Sequence, residues 1–285
     1  MIQVKALACE LPFENSIPLS RFSSIEIAKE AICRGIAAQI SGSTVWRWLH
    51  EDAIKPWQYR SWIFPRDPQF EQKAGRVLDL YHGIWQGKAL GKDEYVICAD
   101  EKTSIQARRR KHKTLPCDTK RCMRVEHEYE RLGALNYLAA WDVQHAKIFG
   151  HLESKSGIVA FDRLVTDVME KEPYVSSKRV FWIVDNGSSH RGQTAIKRVQ
   201  TKWPKIVLVH LPIHASWLNQ IEIYFSILQR KVLTPNDFSS LDILAYTIIE
   251  FQKRYEQTAK PFEWKFTKDD LVKLMNKLIP LARAA

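Results

Sequence analysis

The sequence has no apolar run near the roughly 18 residues that cross a bilayer. Its longest, such as Val180–Val184, suits a buried strand, so a membrane-spanning helix is excluded. The first residues, MIQVKALACELPFENS, hold one lysine and no long apolar region, which excludes a secretory signal. Cysteines number only five, at irregular positions, which argues against a disulfide framework and for a reducing, intracellular compartment. His112, Cys117, Cys122 and His127 recur at five-residue intervals that match no common structural zinc spacing. Internal repeats and low-complexity tracts are lacking too. With 45% hydrophobic and 26% charged residues the chain is globular rather than disordered, and 285 residues make roughly two domains.

What the chain has in excess is positive charge. Lys and Arg total 43 against 32 acids, a formal net of +11, and such a surface attracts polyanions, nucleic acid above all. Residues 108–124 hold eight Lys or Arg and one acid. Alone, such a run reads as a solvated loop or as a phosphate-contacting arm.

Residues 23–34 carry a capping-box spacing, Ser23 to Glu26, then Ile25, Ala28 and Ile32 as the expected apolar stripe and Gly35 as the stop. A second short helix is expected from Ser41 or Ser43 through Leu49. Two short helices joined through glycine suggest a helix-turn-helix, with Arg47 and His50 as candidate DNA contacts and Trp46 and Trp48 as packing residues. Residues 1–20 read as irregular and 55–66 as an extended, Trp- and Arg-rich arm. A helix is expected from Asp67-Pro68, with Phe70, Ala74, Val77, Leu78, Tyr81 and Trp85 as its stripe and Gly87 and Gly91 at its end.

From residue 93 the pattern alternates. Strands are expected over Tyr95–Asp100, Leu132–Trp141, Lys147–Leu152, Arg179–Val184 and Ile206–Leu211. Helices are expected over Ile158–Glu170, His190–Lys202, Trp217–Lys231, 239–256 and 268–282. This order predicts an α/β domain with a mixed sheet. Asp100 interrupts an apolar strand, Asp185 follows a buried one, and Glu222 flanks the apolar stripe of the Trp217 helix, with Asn219 on the same side. Each reads singly as a cap, an ion-pair partner or a solvated acid. Together they are a set of hard oxygen ligands suited to a pair of Mg²⁺ or Mn²⁺ ions, and such a pair cleaves phosphodiesters.

Asp100-Glu101-Lys102-Thr103-Ser104-Ile105-Gln106-Ala107, Glu126–Arg131, Val184-Asp185-Asn186 with Ser189-His190, and the block His210–Glu222 together resemble the DDE transposases of the insertion-sequence 630 family, relatives of mariner. Pro261–Trp264 resembles the segment that follows their catalytic domain. The likeness runs from about residue 41 to 270. It implies a ribonuclease H-like fold, two Mg²⁺ or Mn²⁺ ions as cofactors, cut-and-paste transposition at terminal inverted repeats, and TA insertion targets. Motif by motif it assigns metal binding to Asp100, Asp185 and Glu222, the last two separated by 36 residues, close to the group's usual spacing. Asn186, His190, Asn219 and His214 take supporting or DNA-contacting roles, with Ser216 on the same loop as a cap. Arg108, Arg109, Arg110, Lys111 and Lys113 fall in a β-hairpin insertion that in relatives touches DNA or a partner subunit.

The organisation expected is a helix-turn-helix segment with its arm over 1–66, a linker helix over 67–92, a catalytic domain over 93–260 and a helical extension over 261–285. Two consecutive helix-turn-helix units are usual in this group, and the N-terminal region has room for about one, which points to a truncated or frameshift-derived frame. The expected partners are double-stranded DNA and a second copy of the chain on that DNA. The expected setting is a bacterial cytoplasm, at the nucleoid. The rival reading is a non-catalytic DNA-binding remnant or repressor of the parent element; a ribonuclease H or junction resolvase is a third.

Overall fold

The computed structural model describes residues 1–59 and 65–282. The chain divides into two compact units, residues 1–63 and 64–285.

The first unit is helical: α1 (Ile2–Ala8), a 3₁₀ turn (Pro12–Asn15), α2 (Ser24–Cys33) and α3 (Gly42–Glu51). The capping box forms as its spacing predicts. Ser23 Oγ accepts from the Glu26 amide at 3.3 Å and Glu26 Oε2 accepts from the Ser23 amide at 2.6 Å. Ser41 caps α3 through the Thr44 amide at 3.1 Å. The core joins Val4 and Leu7 of α1, Phe22, Ile27, Ala28 and Ala31 of α2, and Val45 and Leu49 of α3.

Three expectations are corrected here. Residues 1–20 are not irregular throughout, because Val4, Leu7 and Ala8 give α1 an apolar face that the other two helices cover. The buried stripe of α2 is Ile27, Ala28 and Ala31, while Ile25 and Ile32 are exposed; two partner helices, rather than one, set which side is covered. Trp46 is also exposed and stacks on His50, rings 4.8 Å apart, whereas Trp48 packs at the edge of the core. Of the expected extended arm, residues 60–64 lie outside the described residues, and Lys55–Gln58 form a turn closed by a 2.9 Å hydrogen bond.

The second unit opens with α4 (Phe70–Tyr81), whose Phe70, Ala74, Val77 and Leu78 are buried as the periodicity predicts. Asp67 stands before the helix rather than at its cap. Its carboxylate accepts from the Gln69 amide at 2.9 Å and the Lys73 ammonium at 2.8 Å. Trp85 lies beyond the helix, in a two-stranded hairpin of β1 (Ile84–Trp85) and β2 (Lys88–Ala89) turned by Gln86-Gly87. Then follow β3 (Glu94–Arg110), β4 (Tyr129–Asp142), β5 (Ile148–Glu153), α5 (Ile158–Met169), β6 (Arg179–Val184), α6 (Gly192–Lys202), β7 (Ile206–His210), a 3₁₀ turn (Ser216–Leu218), α7 (Ile221–Lys231), α8 (Leu241–Glu256) and α9 (Lys268–Ala282).

The sheet order is β5-β4-β3-β6-β7, antiparallel across β3/β4 and β4/β5 and parallel across β3/β6 and β6/β7. Successive side chains of β3 and β6 face opposite layers. Val96, Cys98, Phe181 and Ile183 pack with α4, α7 and α8, and Tyr95, Ile97, Val180 and Trp182 with α5. The core of this mixed sheet therefore sits on both faces, as its apolar central strands require. β3 is far longer than the apolar run predicts. It continues past Asp100 through register shifts at Lys102/Ile105 and Gln106/Arg108, and carries Arg108–Arg110 inside a strand paired with β4.

Candidate active site

Asp100 and Asp185 share a face and a level. Cys98 pairs with Ile183 across the parallel strands, and each aspartate lies two residues beyond that pair. α7 covers the same face through Ile221, Tyr224, Phe225 and Leu228, and brings Glu222 in its first turn. The helix starts four residues later than its periodicity predicts: Trp217 is exposed in the 3₁₀ turn, and Asn219 lies between turn and helix in extended backbone rather than on the helix. From there Asn219 Nδ2 donates to the Ala99 carbonyl at 3.0 Å and approaches Asp100 Oδ2 at 3.4 Å. The main chain beside it is pinned by Tyr81, whose hydroxyl donates to the Leu218 carbonyl at 2.6 Å.

The turn after β6 is built around Asp185. Its Oδ1 accepts from the Gly187 amide at 2.8 Å and meets His190 Nε2. His190 is buried, with Nδ1 2.9 Å from Ser189 Oγ and its ring against Phe161. Gly187 is required by close approach: a Cβ there would lie 2.9 Å from Asp185 Oδ1 and 3.1 Å from the His190 ring. Asn186 turns away and donates to the Leu211 carbonyl at 2.8 Å, tying the turn to the end of β7. His214 is exposed, in left-handed backbone, on the loop before α7.

The three carboxylates feel one another. Burial pushes the Asp100 carboxyl up to about 7, and the charges of Asp185 and Glu222 add to the shift against the opposing Glu101 amide. Burial also raises Glu222, with Asp185 adding and Lys102 opposing. Asp185 is held below the ordinary carboxylate range, chiefly by its bond from His190. Three acids with hard oxygens, two of them raised, are a donor set suited to a divalent ion. The Asn219 Oδ1, buried without a partner, adds an acceptor beside Asp100. Among the described residues no three His, Cys, Asp or Glu side chains are gathered closely enough to hold one ion.

Arg47 and His50 are exposed on α3 of the first unit. On the hairpin arm Arg109 pairs with Glu130 and Lys111 with Glu128, while the Arg110 guanidinium donates to the carbonyls of Asn236, Glu126 and His127. Lys113 is exposed. Residues that sequence reasoning missed are Tyr81, Gly187 and Lys102. Only Lys102 had a usable signal, since it lies two positions beyond Asp100 in the same strand.

A central strand bearing one acid, a parallel neighbour ending at a second and a later helix supplying the third define a ribonuclease H-like fold of the DDE type. Residues 95–245, more than half of the chain, match the family described as DDE superfamily endonuclease, and the chain belongs to that family. Its fold is similar to that of the Mos1 mariner paired-end complex with Mn, at 15% identity and a TM-score of 0.56 over 92% of this chain and 72% of that one. It is similar also to the Mos1 transposase paired-end complex with left transposon end, at 12% identity and 0.52 over 91% and 71%. A third likeness is to the mariner Mos1 paired-end complex with Mg, at 14% identity and 0.51 over 92% and 79%. No curated protein matches the chain. No described helix is long and apolar enough to cross a membrane.

Proposed function

We propose that the chain is a transposase of the insertion-sequence 630, mariner-related family, cutting DNA at terminal inverted repeats and joining the freed 3′ ends to TA targets. The observation that carries this reading is that Asp100 and Asp185 stand level on one face of the sheet, the face that α7 covers with Glu222 in its first turn. Similar folds come from Mos1 complexes with a transposon end, Mn or Mg.

In this reading the three carboxylates hold two Mg²⁺ or Mn²⁺ ions. Bound there, the ions would activate water or a 3′-hydroxyl and neutralise charge on the scissile phosphate. His190 orients Asp185 through Oδ1, and the Gly187 amide fixes the same oxygen. Asn219 holds the entrance of α7 against the strand that carries Asp100. The basic arm (Arg108, Arg109, Arg110, Lys111, Lys113) and the Arg47–His50 face of α3 hold the polyanionic substrate. We assign 1–66 to helix-turn-helix DNA binding with its arm, 67–92 to a linker helix, 93–260 to catalysis and 261–285 to a helical extension. The protein acts as a homodimer on double-stranded DNA, in the cytoplasm of a bacterium, at the nucleoid.

The test is cleavage of a duplex bearing the parent element's terminal repeat, wild type beside Asp185→Asn, with Mg²⁺ or Mn²⁺. Nicking by wild type that the variant loses supports the proposal. Binding of the repeat by both without nicking by either makes the chain a non-catalytic remnant or repressor.

A further inference from the structure

Beyond the last β3/β4 pair, Arg110 with Tyr129, the chain runs out into a hairpin with no core of its own. No residue from 111 to 128 is buried, and Leu115 and Met123 stand exposed on it. Two isolated pairs hold the tip. Leu115 and Arg124 exchange amide-to-carbonyl hydrogen bonds of 2.9 and 3.0 Å, and Asp118 and Arg121 exchange bonds of 3.0 and 2.9 Å across the two-residue turn Thr119-Lys120. Lys120 is in left-handed backbone, φ 60°, which a lysine does not favour. A two-stranded hairpin of this kind is marginal by itself.

The two pairs fix the register between them. Each strand has two residues from one pair to the next, so Cys117 stands opposite Cys122, at the first position outside the turn. Beside a pair that exchanges both hydrogen bonds lies a non-hydrogen-bonded position, where Cα atoms are about 4.5 Å apart and both side chains leave the same face. A disulfide needs Cα atoms about 4.4–6.8 Å apart. Both thiols are free and exposed. The other cysteines are placed differently: Cys98 is buried with its sulfur 3.3 Å from the Tyr81 hydroxyl, and Cys9 and Cys33 stand at the ends of separate helices in the first unit. His112, which shares the five-residue spacing, is engaged by Glu126 at 2.5 Å. Strand register, not a metal-ligand spacing, relates the two cysteines.

We propose that Cys117 and Cys122 form a redox-active dithiol, which an anionic low-molecular-weight disulfide of the glutathione class converts to an intramolecular disulfide that stiffens the hairpin tip. One cysteine sulfur attacks the S–S bond of the oxidant, giving a mixed disulfide and releasing one thiol. The other then attacks the first cysteine's sulfur, forming the Cys117–Cys122 bond and releasing the second thiol. The pair gives up two electrons and two protons, and these end on the two released thiols. The charge of the tip favours such an oxidant. Residues 113–124 carry Lys113, Lys120, Arg121 and Arg124 against one acid, Asp118, which is itself paired with Arg121 at 3.7 Å. The inference stands on the hairpin register and not on the proposed function.

The experiment equilibrates the reduced full chain with mixtures of reduced and oxidised glutathione and reads intact mass, peptide maps and free thiols. The chain is expected to lose two hydrogens, to yield an internally linked 117–122 peptide, and to fall from five titratable thiols to three in denaturant. A register control separates geometry from mere closeness in sequence: Cys122→Ser combined with Met123→Cys moves the second thiol one place along, to the opposite face of the hairpin. Closure of that variant is expected to need at least about tenfold more oxidised glutathione. Tryptic cleavage after Lys113 and Arg124 is expected to be about tenfold slower in the oxidised wild type than in the reduced. Glutathione left on either cysteine as the end product, a link to Cys9, Cys33 or another chain in place of the internal one, equal closure by the shifted pair, or unchanged cleavage overturns the proposal.

Discussion

Asn219 joins the two elements that carry Asp100 and Glu222: its amide donates 3.0 Å to the Ala99 carbonyl on β3, three residues before Glu222 in the first turn of α7. The side chain is fully buried, and its Oδ1 has no partner. Asn219→Ala removes the tie and leaves a buried carbonyl, at about 1–3 kcal/mol. Metal-dependent nicking is expected to fall about 10- to 100-fold, the range for residues that orient metal ligands. Thermal unfolding beside single-turnover nicking checks both. Nicking at the wild-type rate in a folded variant contradicts this role.

Gly187→Ala puts a methyl 2.9 Å from Asp185 Oδ1 and 3.1 Å from the His190 ring. The backbone there is in ordinary conformation, so the effect is displacement of the Asp185–His190 pair rather than strain. Nicking is expected to drop at least about tenfold, with a fall in Tm of only a few degrees.

Asp100 gives the metal-free protein one pH-dependent contribution to stability. Its carboxyl titrates near 7 in the fold, because burial first and the neighbouring acids second disfavour its charge, against an ordinary 3.8. A raised folded value means that the native state binds the proton more tightly. The contribution of Asp100 to stability is therefore greatest below about 3.8, is lost progressively as pH rises to about 7, and is level above. Asp100→Asn is expected to raise the Tm of the metal-free protein at pH 8 and to change it little near pH 4. Calorimetry at the two pH values decides; an equal shift at both would show that desolvated charge is not the cause.

Asp67 gives the opposite sign. Burial pushes its carboxyl up, but the Lys73 ammonium and the amides of Gln69 and Ile213 outweigh it and hold the group below its ordinary 3.8. Its contribution is present above that value and is lost as pH falls through the lower folded one. Asp67→Ala frees the Ile213 amide, bonded at 3.1 Å, and with it the loop leading to α7. It is expected to cost about 2 kcal/mol and several degrees in Tm, read by thermal unfolding at neutral pH.

Much of the fold is legible in local chemistry. The apolar run Arg179–Val184 is a strand because nothing polar interrupts it, and Asp185 stands where that run ends. Ser23 and Glu26 mark the start of α2 because a capping box is written in residues three apart. The family resemblance rests on the motifs around Asp100, Asp185 and Glu222, and the family found is the broader one, the DDE superfamily endonucleases. What local pattern misses depends on distant partners. β3 runs on to Arg110 because β4 and the Asn236 loop pair with it, though Arg108–Arg110 looks like solvated charge. α7 begins at Ile221 because Tyr81 and the Ala99 carbonyl hold the preceding chain extended. Ile27 rather than Ile25 faces the core because α1, which reads as irregular sequence, lies on that side.

We propose that Asp100, Asp185 and Glu222 act together as the ligands of divalent ions. Anomalous diffraction from crystals grown with Mn²⁺ tests it most directly. Peaks bounded by all three carboxylates, lost in Asp185→Asn, are the predicted result; Mn²⁺ bound elsewhere, with these side chains left apart, would contradict it.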